Sequence, residues 1–165
     1  MMIGYDEYEN MIVKRLQMPD VDVLPLPLLW VLNKERSVNN PRVYVIFAGS
    51  AFEDTDRLGD YSQWDTLSFK LVIEARTRDG KHGIFSVAEE AIQRLLKWDV
   101  PDATQNITLS SFSYTDGVQN NWQYQLAFSF QRVRIRREPE PDDKLIKEIT
   151  FNDFLNVKQT KNEEI

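Results

Sequence analysis

The sequence contains no cysteine and a single histidine, His82. The first absence removes disulfides, thiolate metal sites and cysteine nucleophiles, and it fits a reducing compartment. The second removes a histidine-rich metal centre and any histidine pair. His82 stands between Gly80 and Gly83, where a turn residue is the plainer reading. No Gly-x-Ser-x-Gly elbow supplies a nucleophile for it to serve. Glycine is scarce, six in 165 residues and scattered singly, so no phosphate-cradling loop is present. No apolar run approaches the roughly 18 residues of a membrane-crossing helix. The first residues, Met1-Met2-Ile3-Gly4-Tyr5-Asp6, lack a basic stretch followed by an apolar one, which argues against a secretory signal.

Positive charge is also in short supply. Twenty Lys and Arg face 26 Asp and Glu, for a net charge of −6 and a pI near 4.9. A protein that holds nucleic acid by its phosphates needs a basic surface, because counterion release supplies much of the affinity. The one dense basic cluster is Arg132, Arg134, Arg136 and Arg137, read as a solvated or interface face. Sequence-specific DNA recognition is therefore disfavoured.

What is present is an ordinary globular balance, 42% hydrophobic and 28% charged residues, with one domain expected over residues 1–137. The strongest pattern lies in residues 67–98. Leu67, Phe69, Leu71, Ile73 and Ala75 alternate with polar or outward residues, which is the period of a strand with one buried face. Asp79-Gly80 breaks it. Ile84, Val87, Ala88, Ala91, Ile92, Leu95 and Trp98 then recur at three- and four-residue spacing, the stripe of an amphipathic helix over residues 84–98.

Around this centre, residues 5–16 read as a short helix with Asp6 as N-cap and Lys14 and Arg15 in its last turn. Residues 21–29 carry Pro25 and Pro27, which confine them to a sheet edge. The continuous apolar run Val43-Tyr44-Val45-Ile46-Phe47 predicts a strand over 42–48 buried on both sides. Residues 49–65 read as a long polar loop, beyond the usual limit of about 12–15 residues and therefore the expected contact loop. Residues 106–114 predict a strand whose phase changes at Ser110-Ser111, a bulge signal. Asp116-Gly117 opens a hairpin loop extending to Asn121. Residues 122–135 form the longest strand, Trp122, Tyr124, Leu126, Phe128 and Phe130 on one face, with a slip toward Val133 and Ile135 at its end. Glu138-Pro139-Glu140-Pro141-Asp142-Asp143 is a stiff charged linker. An apolar set follows, Leu145, Ile146, Ile149, Phe151, Phe154, Leu155 and Val157. Residues 138–165 thus read as a linker and C-terminal extension, docked on its own domain or, preferably, an arm to a neighbouring subunit.

Two constellations invite a chemical reading. Asp65 followed by Ile73-Glu74-Ala75-Arg76 resembles the Asp and Glu-x-Lys of Mg²⁺-dependent restriction-type nucleases, whose carboxylates hold the metal. The third position is Arg76, which stays protonated and cannot serve as a base, so a solvent or interface face is the stronger reading. Glu53, Asp54, Asp56 and Asp60 lack the Asp-x-Asp-x-Asp-Gly spacing of a calcium loop and read as an acidic contact loop. Trp64, Trp98 and Trp122 suit core or interface packing. No metal, cofactor or catalytic residue is expected.

The order of elements, and above all residues 66–76 (Thr-Leu-Ser-Phe-Lys-Leu-Val-Ile-Glu-Ala-Arg) feeding residues 82–96 (His-Gly-Ile-Phe-Ser-Val-Ala-Glu-Glu-Ala-Ile-Gln-Arg-Leu-Leu), resembles the tail-terminator proteins of tailed phages. The likeness is to the type in Mu-like contractile-tailed phages, related in fold to the lambda-type minor tail protein U, and it spans residues 5–136. The closing strand, with Gln alternating with aromatics, shares in it. The resemblance implies a non-enzymatic virion protein that is assembled in the host cytoplasm. Its implied form is a hexameric ring that caps the head-proximal end of the tail tube and sheath, stops polymerisation, and meets the neck or head–tail connector. DNA would pass through its lumen without specific binding, and no membrane is involved. Subunit or tube contacts are then expected at Glu53, Asp54, Asp56, Arg57, Asp60, Trp64, Glu74, Arg76, Arg132, Arg134 and Arg136, with the arginine-rich strand end pairing to acidic loops of the adjacent subunit. Other neck or tail-completion proteins are the nearest alternative, and the Mg²⁺ nuclease is the alternative of a different class. The expected fold is α+β, a mainly antiparallel sheet of four or five strands packed by two helices.

Overall fold

The computed structural model of the chain describes residues 2–25, 40–54, 62–115, 117 and 120–135. The extension expected over 138–165 lies outside them, as do Asp56, Arg57, Asp60 and Arg136. The described chain is an α+β fold with element order α1 (Tyr5–Arg15), β1 (Asp22–Pro25), β2 (Arg42–Asp54), β3 (Ser62–Ala75), α2 (Ile84–Leu96), β4 (Thr108–Thr115) and β5 (Trp122–Ile135). The five strands form one sheet in the order β1-β2-β3-β5-β4. All neighbours are antiparallel except β1 and β2, which run parallel. The proline-bearing segment is at the edge, as its missing donor requires.

Both helices cover one face of the sheet. Tyr8, Ile12 and Leu16 of α1 and Ile84, Val87, Ala88, Ala91 and Leu95 of α2 share a single core with the sheet. The strand side chains in that core are Val43, Val45, Leu67, Phe69, Leu71, Ile73, Leu126, Phe128 and Phe130. The alternation of residues 67–75 and the stripe of α2 are therefore the two halves of one interface. On the opposite face Tyr44 and Val72 are buried, while Thr66, Ser68, Gln125, Ser129 and Gln131 are half-buried and Lys70 is exposed. The run 42–48 is buried on both sides at Val43, Tyr44 and Val45, but Ile46 and Phe47 are half-buried.

The helix ends are tied without side-chain caps. The N-cap of α1 is Gly4, and Asp6 lies inside the first turn, where a carboxylate favours the helix dipole but caps nothing. The N-cap of α2 is Gly83, also without a side-chain bond. Its first N–H groups are taken by the preceding turn instead, Ile84 N–H donating to Thr77 O (3.0 Å) and Phe85 N–H to Arg78 O (3.1 Å). At the far end of α2, Arg15 of α1 donates from Nε to Arg94 O (3.0 Å), so a cation of one helix satisfies a terminal carbonyl of the other.

Three expectations are corrected. The polar stretch 49–65 is mostly strand, because β2 runs to Asp54 and β3 begins at Ser62, with Phe52 opposite Asp65 and Glu53 opposite Trp64. Ladder hydrogen bonds are made by the backbone and do not need apolar side chains. A bulge between Phe47 and Gly49, where Gly49 takes φ +149°, shifts the alternation by one and hides the strand from a period-two reading. The slip expected at Val133 does not occur. The buried face of β5 continues from Phe130 to Arg132, and the reading failed because the next inward residue is charged. The helix expected to reach Trp98 ends at Leu96, although Trp98 still packs partly buried against the core. The phase change in the fourth strand is real, a register shift between Leu109 and Ser111.

Candidate functional site

β2, β3 and β5 extend past the amino-terminal end of α1, and at that end the apolar slots of the helix-facing side are filled by charge. Asp65 continues the Leu67–Phe69 alternation and Arg132 continues Phe128–Phe130; they are opposite one another in register. Both are buried, Asp65 completely. Arg132 Nε donates to Asp65 Oδ2 at 3.0 Å, and Arg134 donates to the same oxygen from Nε and Nη2, each at 3.3 Å. Arg132 Nη1 also reaches Ile3 O at 2.7 Å, and Arg134 Nη2 reaches the Tyr5 hydroxyl at 3.0 Å. Asp65 Oδ1 has no hydrogen-bond partner among the described residues.

One carboxylate thus serves two guanidiniums, leaving the cluster one positive charge in excess. Aromatic rings compensate the desolvated cations. Arg132 lies over Tyr8 and Tyr5 (5.3 and 5.6 Å), and Arg134 over Tyr5 and Phe52 (both 5.7 Å). Tyr8 donates to Pro101 O at 2.8 Å. Burial pushes its hydroxyl above its ordinary pKa of 10.0, against the lowering influence of Arg132. The cluster binds the chain's amino-terminal residues to the sheet. Around it Phe52 and Ile135 remain exposed.

The opposite end of β3 has a different chemistry. Phe85 at the start of α2, Phe112 and Tyr114 of β4, and Tyr124 and Trp122 of β5 form a continuous series of ring contacts with centroid separations of 5.2 to 6.4 Å. Arg78 reaches over both Phe85 (5.5 Å) and Trp122 (5.4 Å). Lys81 and His82 follow in the same exposed turn. His82 borders an open cleft of about 520 Å³ between that turn, α2 and the α1–β1 connection.

The residues singled out in the sequence are divided between these ends. Glu53 is exposed and Trp64 half-buried near the arginine cluster; Asp54 closes β2. Arg132 has partners inside its own chain and is buried by them. Arg134 keeps about a third of its side chain exposed (36%). Glu74 and Arg76 lie at the opposite end, where Glu74 accepts a hydrogen bond from Gln123 Nε2 (3.4 Å). Asp65 and Glu74, the pair of the nuclease reading, are nine positions apart on β3, roughly 30 Å, and on opposite faces because nine is odd. They do not converge. Among the described residues no three or more His, Cys, Asp or Glu gather as a metal site, and no helix is long and apolar enough to cross a membrane.

Sequence reading missed the buried role of Asp65 and the aromatic patch around Arg78. A signal existed for the first. An acid and a base each extend an apolar alternation by one step on strands that pair, which is the pattern of a buried ion pair. The aromatic patch had none, since Phe85, Phe112 and Trp122 meet only through tertiary packing.

A family model described as Gp37 protein matches residues 12–153. No curated protein matches the chain.

Proposed function

The chain belongs to the Gp37 family, a phage-associated family whose membership points to a phage structural protein, and from that premise we propose that it is a tail terminator. In this reading, copies of the chain close into a hexameric ring on the head-proximal end of the tail tube and sheath, stop their growth, and present a surface to the neck. DNA passes through the lumen without sequence-specific contact, consistent with the chain's net charge of −6. The protein acts without catalysis or cofactor and resides in the virion.

The observation that carries this reading is the order and layering of the elements. A helix, a proline-bearing edge strand, a long hairpin, an amphipathic helix and a closing hairpin follow one another as the tail-terminator resemblance implies, with both helices on one face. Among the described residues the five-stranded sheet has two edges, β1 and β4. Edges and ends of this kind allow heterologous contacts, which close into rings when the rotation permits. The nuclease alternative draws no support from the site, because its two carboxylates diverge and Asp65 is committed to Arg132 and Arg134.

Native mass spectrometry of the purified protein with negative-stain imaging tests the proposal, first alone and then with purified tail tubes. A closed ring with a central hole, bound at one end of the tube, is the expected result. A chain that forms no ring and leaves tube ends unoccupied overturns it, and attachment elsewhere on the particle moves the protein to another neck role.

A further inference from the structure

We propose that the edge strand β4 is a self-pairing surface: two copies of the chain join antiparallel about Ser113, and the sheet of one continues into the sheet of the other. This pairing is independent of ring closure, because a two-fold contact closes at two copies and does not propagate around a ring. Lone subunits so joined form a dimer, and rings so joined form a double ring.

The two edges of the sheet are guarded differently. β1 is four residues long, carries Asp22 and ends in Pro25, the short, charged and proline-bearing kind of edge that resists further pairing. β4 is eight residues, Thr-Leu-Ser-Ser-Phe-Ser-Tyr-Thr, without charge, proline or glycine. Among the described residues only β5 pairs with it, so the N–H and C=O groups on its outer side are a template for another strand. The register shift between Leu109 and Ser111 leaves residues 111–115 as the regular stretch. Ser111, Phe112, Ser113 and Tyr114 are exposed there, and Thr115 is half-buried.

That stretch, Ser-Phe-Ser-Tyr-Thr, shows the same side-chain classes read in either direction. In an antiparallel pair centred on Ser113, Phe112 of each copy is opposite Tyr114 of the other, Ser111 is opposite Thr115, and Ser113 meets its own counterpart. Aromatic faces aromatic and hydroxyl faces hydroxyl at every position, and such cross-strand pairs stabilise a sheet. A one-residue slip would set rings against hydroxyls, which fixes the register. Phe112 and Tyr114 are 39% and 54% exposed, an apolar surface that a solitary subunit leaves wet. Their rings are already braced within the chain, Phe112 against Tyr124 and Phe85 (5.2 and 6.4 Å) and Tyr114 against Trp122 (6.0 Å), so contact orders little that is loose. No like charge opposes the pairing. β4 has none, and Arg78 is held over Phe85 and Trp122. Trp122 is on β5, and the β5 strands of two paired copies are three strand spacings apart, roughly 14 Å. That exceeds the screening length of about 8 Å at physiological salt.

The absence of cysteine from the chain lets one introduced thiol read the register in the full-length protein. Under mild oxidation Ser113→Cys should form a covalent dimer on the order of a hundredfold faster than Ser111→Cys. Position 113 faces its own counterpart, whereas two copies of position 111 are offset by four residues, roughly 14 Å along the strands. Charge gives a check free of thiols. Ser113→Asp and Ser113→Lys each set like charges face to face, and native mass spectrometry should find neither variant paired by itself. An equimolar mixture of the two should pair again as the mixed species. Thermal melting of each variant establishes that this exposed position leaves the fold intact. Equal cross-linking at 111 and 113, or a mixture of the charge variants that stays unpaired, overturns the inference. Rings on tube ends without either signal leave the terminator reading standing and remove the β4 contact. Strand-paired dimers that never close into rings and ignore tube ends do the reverse.

Discussion

Asp65 is the residue on which the arginine-rich end of the sheet depends, because its carboxylate is the anionic partner of both Arg132 and Arg134. Its neighbour Arg132 is almost wholly buried, and removing one member of a buried pair leaves an uncompensated charge. Asp65→Ala should therefore cost about 3–5 kcal/mol in urea unfolding. Arg134→Gln should stay within about 1 kcal/mol, since that side chain is partly hydrated and the pair is screened. Replacing both buried members, Asp65→Leu with Arg132→Met, should recover most of the loss. If it does not, the pair's bond to Ile3 O outweighs its desolvation. Tyr8 makes a second prediction. Its folded pKa is raised above 10.0 chiefly by burial, so the unfolded chain loses that proton first. The stabilisation is complete below about pH 10 and is lost as pH climbs toward the folded value. Tyr8→Phe should flatten that alkaline decline in denaturant midpoints, while losing about 0.5–1.5 kcal/mol at neutral pH with the bond to Pro101 O. An unchanged alkaline slope would assign the decline to another group.

Elements in this chain are bounded less by their own capping residues than by what the neighbouring backbone supplies. Gly83 begins α2, and by ordinary helix chemistry Gly83→Ser would be neutral or mildly stabilising. Here a Cβ at that position would stand 2.5 Å from Asp79 O and 2.7 Å from Arg78 O, both backbone atoms that cannot step aside. Gly83→Ser should therefore destabilise by about 1–3 kcal/mol, read by thermal or urea melting, and a gain in stability would refute the close approach. The same dependence explains what was legible at this scale. The β3 alternation, the α2 stripe, the bulge after Leu109 and the bounds of β5 are local periodicities, and the sequence displays them. The far half of β2 is not, because the bulge at Gly49 displaces the phase and its residues are polar. The N-cap of α1 is Gly4 and not Asp6, because composition cannot distinguish a first-turn acid from a cap.

Across the whole molecule, one face of a mixed sheet carries both helices and the long axis of β3 separates two unlike ends. Imaging of rings on tube ends is a measurement at this scale, because closure depends on how whole copies meet. The sequence by itself determined the α+β class, the two helices, the edge position of the proline segment and the lack of thiol chemistry. Those follow from short-range period, from proline's missing donor and from composition. Only the tertiary structure decided that Asp65 and Arg132 form a buried pair and that the nuclease-like Asp65 and Glu74 diverge. It alone decided that Arg134 shares an end with Glu53 while Arg78 stands among aromatics at the other. The physical reason is that strand pairing and register set which distant residues face one another, and a charge reads as exposed in sequence until the partner that neutralises it is brought alongside.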